Sequence, residues 1–318
     1  MPLTLENEAY KEHLLGREST HVKPHMGFPR PTLVLVMKTA DAAALEAAAA
    51  GLQKAVLSPR ILDEGRVLRV EGIENERIDE AVGLLSPLSD EVLRAWLVPT
   101  AVSAGTVGAL LFDMDSTLIE EEGLDEIARI RHLGDRIAAI TREAMEGRMD
   151  FRTAFLQRVR LLKGIPLSLL LEVGEKATLR DEIVRWMTPL LSTPAHVAIL
   201  SGGLQPIADT VAKRVGIRNV RANPVVIEDG LMTGEVIEPI TNRKAKYEYA
   251  LARRAEIEGT ERPHLVAFGD GSNDMDMLSS SHWSVGVMPK AKCRPVCDMA
   301  FSEPAALEDL RWILPTRA

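Results

Sequence analysis

Two carboxylates separated by one residue, Asp113 and Asp115, follow a short apolar run about one third of the way along the 318-residue chain. Residues two apart at a strand end should point to the same side. Acids that project beyond an apolar strand need a cation or a shared proton to offset their repulsion. Asp is also common in loops that cap helices, which explains one such acid more easily than two. The pair therefore indicates metal binding, nucleophilic attack or proton transfer.

A second polar cluster, Ser201-Gly202-Gly203, follows the apolar run 196–200. Glycines let an anion approach the backbone, and the first N–H groups of a helix attract negative charge. The cluster could therefore bind a phosphate group. A plain helix cap formed by Ser201 is the alternative.

A third cluster, GDGSND at residues 269–274, follows the run 264–268. A turn is the ordinary explanation, but acids from two strand ends also form the oxygen-ligand set that Mg²⁺ requires. The basic run 243–246 contains Lys244 and Lys246, which compete for one role, a lysine placed over a phosphate. Solvated helix surface is the usual explanation for such a run.

The order of these clusters along the chain is more informative than any one of them. An Asp nucleophile, a Ser/Gly phosphate cradle, a lysine and a late acidic pair form the set needed for phosphoryl transfer through an aspartyl phosphate. Each follows or lies between short apolar runs separated by long helical stretches, at residues 106–112, 196–200, 264–268 and 284–287. This alternation predicts an α/β fold with a parallel sheet, in which ligands bind beyond the carboxyl ends of the strands.

The N-terminal third shows a different pattern. Residues 1–31 are polar and read as an arm, and residues 32–100 predict a small α+β domain. Its elements are a strand at 32–37, a helix at 42–52, a hairpin of 60–62 with 66–71, and a helix at about 74–85. We interpret the Pro- and Gly-containing stretch 86–105 as the linker to the second domain, 101–318.

Composition excludes several classes of protein. The net charge of −8 argues against a protein that neutralises nucleic-acid phosphates. The N-terminus lacks the apolar core of a secretory signal, and no apolar run is long enough to span a membrane, so we expect a cytoplasmic protein.

Cys293 and Cys297 read as buried thiols rather than a zinc or redox pair. His21 and His25 could ligate a metal, but Pro24 between them disfavours the helix this needs.

The four motifs resemble those of the haloacid dehalogenase-like hydrolase superfamily. They are FDMDST (112–117), SGG (201–203), Lys246 and GDGSND (269–274). The resemblance covers about residues 106–300. It implies a Rossmann-like parallel sheet core with a small helical cap at about residues 120–190, preceded by the small α+β domain.

The resemblance also implies roles for the motif residues. Asp113 would become phosphorylated, while Asp115 would protonate the leaving oxygen and then activate water. The Asp113 carboxylate, the Asp115 backbone carbonyl and Asp270 would hold Mg²⁺. The phosphoryl oxygens would be bound by Ser201, Gly202 and Lys246. Asn273 would touch the phosphate or position ligands, and Asp274 would orient Lys246 or a metal-bound water.

Further residues are similar to members of this superfamily that hydrolyse O-phospho-L-serine: Glu122, the stretch 140–151, Arg158 and Asn223. Glu122 would meet the substrate ammonium and Arg158 its carboxylate, and the reaction would complete serine synthesis. The alternatives are the same chemistry on another small phosphomonoester such as phosphohomoserine, transfer to an alcohol, or a ligand sensor without activity. The N-terminal domain resembles regulatory or dimerising domains of ACT type, which leaves a homodimer open.

Overall fold

The computed structural model of the protein describes residues 5–6, 31–55, 57–99, 102, 105–145 and 148–314. His21 and His25 lie outside these ranges. Within them, no helix combines the length and apolar character needed to cross a membrane.

The N-terminal unit is a four-stranded antiparallel sheet with two helices. Its elements in chain order are β1 (Pro31–Met37), α1 (Ala42–Lys54), β2 (Ser58–Leu62), β3 (Val67–Glu71), α2 (Ile78–Leu85) and β4 (Val92–Pro99). The strand order β2-β3-β1-β4 gives the β-α-β-β-α-β arrangement of ferredoxin-like folds. Asp41 caps α1 by accepting a hydrogen bond from the Ala44 amide at 2.9 Å. The predicted strand, hairpin and two helices of this unit are confirmed.

The linker prediction for residues 86–105 is wrong over much of its length, because β4 lies within it and pairs with β1. Arg94 and Trp96, two residues apart on one face of β4, both contact Asp309 from the C-terminal end of the chain. Trp96 also packs on Phe301, with ring centroids 5.0 Å apart. Distant residues thus cover the face of β4 that would otherwise be exposed to water. The strand therefore lacks the alternation of buried and exposed residues expected of an isolated edge strand.

The second unit is built on a six-stranded sheet whose order is β12-β11-β10-β5-β6-β7, with every pair parallel. Its strands are β5 (Val107–Phe112), β6 (His196–Leu204), β7 (Asn219–Asn223), β10 (His264–Gly269), β11 (Trp283–Val287) and β12 (Met299–Phe301). The four predicted strands are confirmed. The outer two are polar or only three residues long, so neither gave an apolar signal. Because β5 lies between β6 and β10, the three motif-bearing carboxyl ends are neighbours.

The segment between β5 and β6 is helical, as predicted. It contains α3 (Gly123–Ile130), α4 (Gly134–Met145), α5 (Phe151–Leu161), α6 (Leu167–Lys176) and α7 (Asp181–Met187). A hairpin formed by β8 (Val225–Glu228) and β9 (Leu231–Val236) follows β7. Met232 of β9 exchanges two backbone hydrogen bonds with the turn between α5 and α6, each 2.8 Å long. The hairpin is therefore tied to the helical segment.

The remaining α-helices all come after β6 in the chain. They are α8 (Gln205–Val215), α9 (Arg243–Ile257), α10 (Met275–Ser280) and α11 (Leu310–Ile313). Cys293 is buried and Cys297 half-buried, and the Cys297 thiol contacts the Cys293 carbonyl oxygen at 3.4 Å. The prediction of a buried thiol is confirmed for Cys293, whereas Cys297 is only half-buried.

Contact between the two units centres on Asp309, which is 2% exposed. Its oxygens accept from Arg94 Nε at 2.6 Å, Arg94 Nη2 at 2.9 Å and Trp96 Nε1 at 2.8 Å. We expect Asp309→Ala to lower the free energy of unfolding by about 3 kcal/mol, because it leaves the largely buried Arg94 guanidinium without its main carboxylate partner. Urea denaturation measures this.

The matched control is Glu303→Ala, which removes another acid beside Arg94. Glu303 lies 3.4 Å from Arg94 Nη1 and is 63% exposed. Solvent screens such a pair, so its loss should cost less than about 1 kcal/mol. Equal losses in the two variants would contradict a buried ionic contact at Asp309.

Candidate active site

Asp113 and Asp115 lie directly beyond β5 but face different partners. Asp113 is 3% exposed, and its amide extends the sheet by donating to the Phe268 carbonyl at 2.9 Å. Asp115 accepts hydrogen bonds from the Gly123 amide at 2.8 Å and from Ser201 Oγ at 3.2 Å. The two carboxylates therefore lie beyond the end of β5 with separate hydrogen-bond partners.

Lys246, in the first turn of α9, is buried against two acids. Its Nζ is 2.7 Å from Asp113 Oδ1 and 2.7 Å from Asp274 Oδ1. Burial alone lowers the pKa of Lys246, but the attraction of these two carboxylates raises it above the ordinary lysine value. Lys244 instead lies in solvent and pairs with Glu248 on the same helix at 3.6 Å. Of the two competing lysines, the structure brings only Lys246 to the cluster.

The turn after β10 is organised by Asp274. Its Oδ2 accepts from the Gly271 amide at 3.0 Å and the Asp270 amide at 3.3 Å, while Oδ1 accepts from Lys246. A Cβ at position 269 would lie 2.7 Å from the Asp274 Cβ, so only glycine permits this close approach. Asn273 Nδ2 reaches Asp113 Oδ2 at 3.3 Å. The turn thus holds Asp270 and Asn273 beside Asp113.

The acidic cluster has the composition of a site for a hard cation. Oxygen atoms of Asp113, Asp270 and Asp274 lie within 4.8 Å of one another, and all three residues are buried. Carboxylate oxygens are the ligands preferred by Mg²⁺. The donor set therefore fits a divalent metal.

Burial also sets the protonation of these acids. Burial, followed by the Asp274 charge, raises the pKa of Asp113 well above its usual range, and Lys246 opposes this shift. A nucleophilic carboxylate at this position needs nearby positive charge to stay ionised. Burial and the neighbouring Glu122 charge raise the pKa of Asp115 to about 7, so that carboxyl can both hold and release a proton near neutral pH.

The SGG cluster lies at the carboxyl end of β6, where the register with β7 shifts between Leu200 and Leu204. The strand runs through the cluster, and α8 begins only at Gln205 without a side-chain cap. The alternative reading of Ser201 as a helix cap is therefore wrong. Ser201 Oγ instead accepts from the Gly203 amide at 2.9 Å and donates to Asp115.

Asn223, at the end of β7, joins two parts of the site. Its Nδ2 donates to the Gly202 carbonyl at 2.8 Å and the Gly203 carbonyl at 3.1 Å. Its Oδ1 accepts from the Thr241 amide at 2.6 Å, just before α9. A completely buried amide thus fixes the SGG backbone relative to the helix that carries Lys246.

Glu122 and Arg158 come from the helical segment over the sheet. Glu122 immediately precedes α3, and its Oε1 accepts from Ser116 Oγ at 3.0 Å. Arg158 lies on α5, and its Nε is buried without a hydrogen-bond partner in the described chain. Burial lowers the pKa of Arg158, while the Asp125, Glu122 and Asp115 charges act against that shift. A guanidinium with a buried, unsatisfied Nε suits an anionic ligand group.

Similarity to known proteins decides the family. A model of the haloacid dehalogenase-like hydrolase family matches residues 110–279, a range that contains the first three motifs and the GDGSND turn. The chain belongs to this family. The family resemblance that the motifs indicated is thereby confirmed.

Relatives of this haloacid dehalogenase-like hydrolase include the phosphoserine phosphatase of Methanocaldococcus jannaschii, 31% identical over 204 residues that cover 64% of this chain and 96% of that protein. The phosphoserine phosphatase of Haemophilus influenzae is 35% identical over 188 residues, which cover 59% of this chain and 60% of that protein. A solved substrate-bound phosphoserine phosphatase aligns with a TM-score of 0.57 and 30% identity, covering 65% of this chain and 98% of that one.

The structural likeness extends beyond the parallel-sheet unit. A crystal structure of a family hydrolase from Salmonella enterica serovar Typhi aligns with a TM-score of 0.71 and 25% identity, covering 91% of this chain and 99% of that one. That share is too large for the parallel-sheet unit alone. The N-terminal unit of this hydrolase therefore also has a structural counterpart.

One charged residue close to the site was missed by sequence reasoning. Lys290, after β11, lies 2.9 Å from Asp270 Oδ2 and 3.5 Å from Glu122 Oε1. It occurs in the basic stretch 290–294, where nothing distinguishes it from a solvated lysine. Only the fold, which places β11 next to β10, reveals the contact.

Proposed function

We propose that this hydrolase is a phosphoserine phosphatase that converts O-phospho-L-serine to L-serine and phosphate. The observation that carries the proposal is the buried Asp113, held between Lys246 and Asn273 and beside Asp270. The helical segment adds Glu122 and Arg158, whose Nε is unsatisfied. The relatives named phosphoserine phosphatase support the same assignment.

In the first step, an Asp113 oxygen attacks the phosphorus and the bond to the seryl oxygen breaks. Asp115 gives its proton to that leaving oxygen, so serine departs as a neutral alcohol. In the second step, Asp115 removes a proton from water, whose oxygen attacks the aspartyl phosphate. Phosphate is released and both carboxyls return to their starting states. The separate partners of the two acids support this division of roles.

The phosphoryl oxygens would be bound by Ser201, the Gly202 amide and Lys246. The Asp113 carboxylate, the Asp115 backbone carbonyl and Asp270 would hold Mg²⁺, which when bound supplies the charge that offsets repulsion between the nucleophile and the phosphate. Asp274 would keep Lys246 and the turn in place, and Asn273 would position Asp113 or the phosphate. Asn223 would hold the two phosphate-binding segments together.

Glu122 and Arg158 would select the amino-acid part of the substrate. Glu122 would pair with the substrate ammonium, and the Arg158 guanidinium would donate two parallel hydrogen bonds to the substrate carboxylate. The buried, unpartnered Nε of Arg158 supports this role. The helical segment that carries both residues, at about 120–190, would act as a cap that excludes water during turnover.

A panel of small phosphomonoesters, assayed by steady-state kinetics, tests the substrate assignment. O-phospho-L-serine should have the highest kcat/KM. If phosphohomoserine or another ester is preferred, the substrate assignment fails while the phosphatase chemistry stands. Appearance of the phosphorylated form of an added alcohol, in place of free phosphate, would indicate phosphoryl transfer.

Metal dependence gives a direct prediction for Asp270. The wild-type enzyme should lose activity after chelation and regain it with added Mg²⁺. Asp270→Asn should raise the Mg²⁺ concentration needed for half-maximal activity by more than about 10-fold, because a charged ligand becomes neutral. Titration of activity with Mg²⁺ measures this. Asp276→Asn is the control, since Asp276 is exposed and pairs with Arg243; an equal shift in that variant would contradict the ligand role.

The N-terminal unit, proposed as residues 32–100 after an arm at 1–31, would be a regulatory or dimerising domain of the 101–318 phosphatase. Its β-α-β-β-α-β order supports an ACT-like assignment, and its ionic contact at Asp309 couples it to the phosphatase. Calorimetric titration of the full chain with L-serine, together with sedimentation, tests both roles. Absence of both serine binding and self-association would reject them.

A further inference from the structure

Lys290 lies at the open edge of the acidic cluster. Its Nζ is 2.9 Å from Asp270 Oδ2, and its side chain is 60% exposed, whereas Asp270 is 5% exposed. Lys246, in the same cluster, has no exposed side-chain surface. The cluster thus has one enclosed ammonium group and one that can move into solvent.

The two lysines divide the clustered carboxylates between them. Lys246 pairs with Asp113 and Asp274, and Lys290 pairs with Asp270. Asp270 is also the acid that the proposed metal site takes as a direct ligand. A divalent cation held by Asp270 and the Lys290 ammonium would therefore compete for one buried carboxylate and repel each other.

The backbone of Lys290 is fixed while its side chain is not. The Lys290 amide donates to the Asp270 carbonyl at 2.8 Å, and the Lys290 carbonyl accepts from the Cys293 amide at 2.8 Å and the Arg294 amide at 3.1 Å. These bonds tether the base of the side chain to the metal-binding turn. The flexible four-carbon stem still allows the ammonium to leave Asp270. Glu122 Oε1, at 3.5 Å, offers it a second partner.

We propose that Lys290 is a tethered competitor of the divalent cation. Its ammonium neutralises Asp270 when no metal is bound, and it leaves that carboxylate when metal binds. The observed metal affinity is then lower than the affinity of the carboxylates alone, because displacement of the ammonium is part of each binding event. This inference rests on the proposed function, since it takes Mg²⁺ as the metal.

The test compares wild type with Lys290→Gln, using the full chain without substrate. Isothermal titration with Mg²⁺ should give a Kd about 10-fold lower for the variant. Without metal, the variant should melt at a lower temperature than wild type, because Asp270 has lost its counterion. Saturating Mg²⁺ should raise the melting temperature of the variant more than that of wild type. Lys292→Gln, which changes an exposed lysine two residues away, should behave like wild type.

The outcomes separate this inference from the proposed function. An unchanged or higher Kd in Lys290→Gln, while wild type binds Mg²⁺ and hydrolyses O-phospho-L-serine, overturns the competitor role alone. Failure of wild type to bind Mg²⁺ overturns the metal site and this inference with it. A lower Kd in both Lys290→Gln and Lys292→Gln also overturns it, since the effect would then come from overall charge.

Discussion

Asp113→Asn is expected to lower kcat/KM for O-phospho-L-serine by at least about 10⁴-fold, the scale seen when a nucleophile is removed. The amide keeps the shape of the carboxyl group but cannot form the acyl phosphate. The fold should survive, because Lys246 retains Asp274 as a partner at 2.7 Å. The neutral amide also avoids the cost of burying a charge, which is the cause that raises the pKa of Asp113. Steady-state kinetics, with circular dichroism to verify folding, measures the effect.

Two further measurements make this prediction specific. Mass spectrometry of acid-quenched reactions should detect one added phosphoryl group on wild type and none on Asp113→Asn. Asp209→Asn, at an exposed position on α8 where the acid accepts from Gln205, should retain full activity. Turnover by Asp113→Asn within about 10-fold of wild type would exclude an aspartyl-phosphate intermediate at this residue.

The active-site cluster could be predicted from sequence because its members follow strands that the fold makes neighbours. Apolar runs identified β5, β6 and β10, and a parallel sheet brings their carboxyl ends to one edge. The order of the strands, which makes the three carboxyl ends neighbours, comes from the structure. The positions of Asp113 and Asp270 could therefore be predicted, because each residue follows the end of a strand that the sequence identifies.

The features that escaped prediction depend on contacts between distant segments. The sequence of β4 resembles a linker because Asp309, which contacts Trp96 on this strand, lies 213 residues away along the chain. The extension of β6 through Ser201 depends on an irregular register with β7, a strand too polar to detect. Lys290 reaches Asp270 only because β11 pairs with β10. In each case the local residue pattern would be the same with or without the contact, so the sequence alone does not reveal it.

Arg158 provides the sharpest test of substrate identity, because its proposed partner is a group that can be removed from the substrate. Arg158→Ala should lower kcat/KM for O-phospho-L-serine by about 100-fold, the effect of losing a charge-assisted pair worth about 3 kcal/mol. O-phosphoethanolamine keeps the phosphate and the ammonium but lacks the carboxylate. Its kcat/KM should be low in wild type and nearly unchanged in the variant.

The matched control for Arg158→Ala is Arg160→Ala, two residues later on α5 and exposed. That variant should leave both substrates unaffected, which separates the guanidinium contact from a general effect on the cap helix. Equal losses for the two substrates in Arg158→Ala would mean that Arg158 supports the cap or the phosphate rather than the carboxylate. The Nε of Arg158 is buried without a partner, and the charges of Asp125, Glu122 and Asp115 act on its guanidinium, which favours contact with the substrate carboxylate.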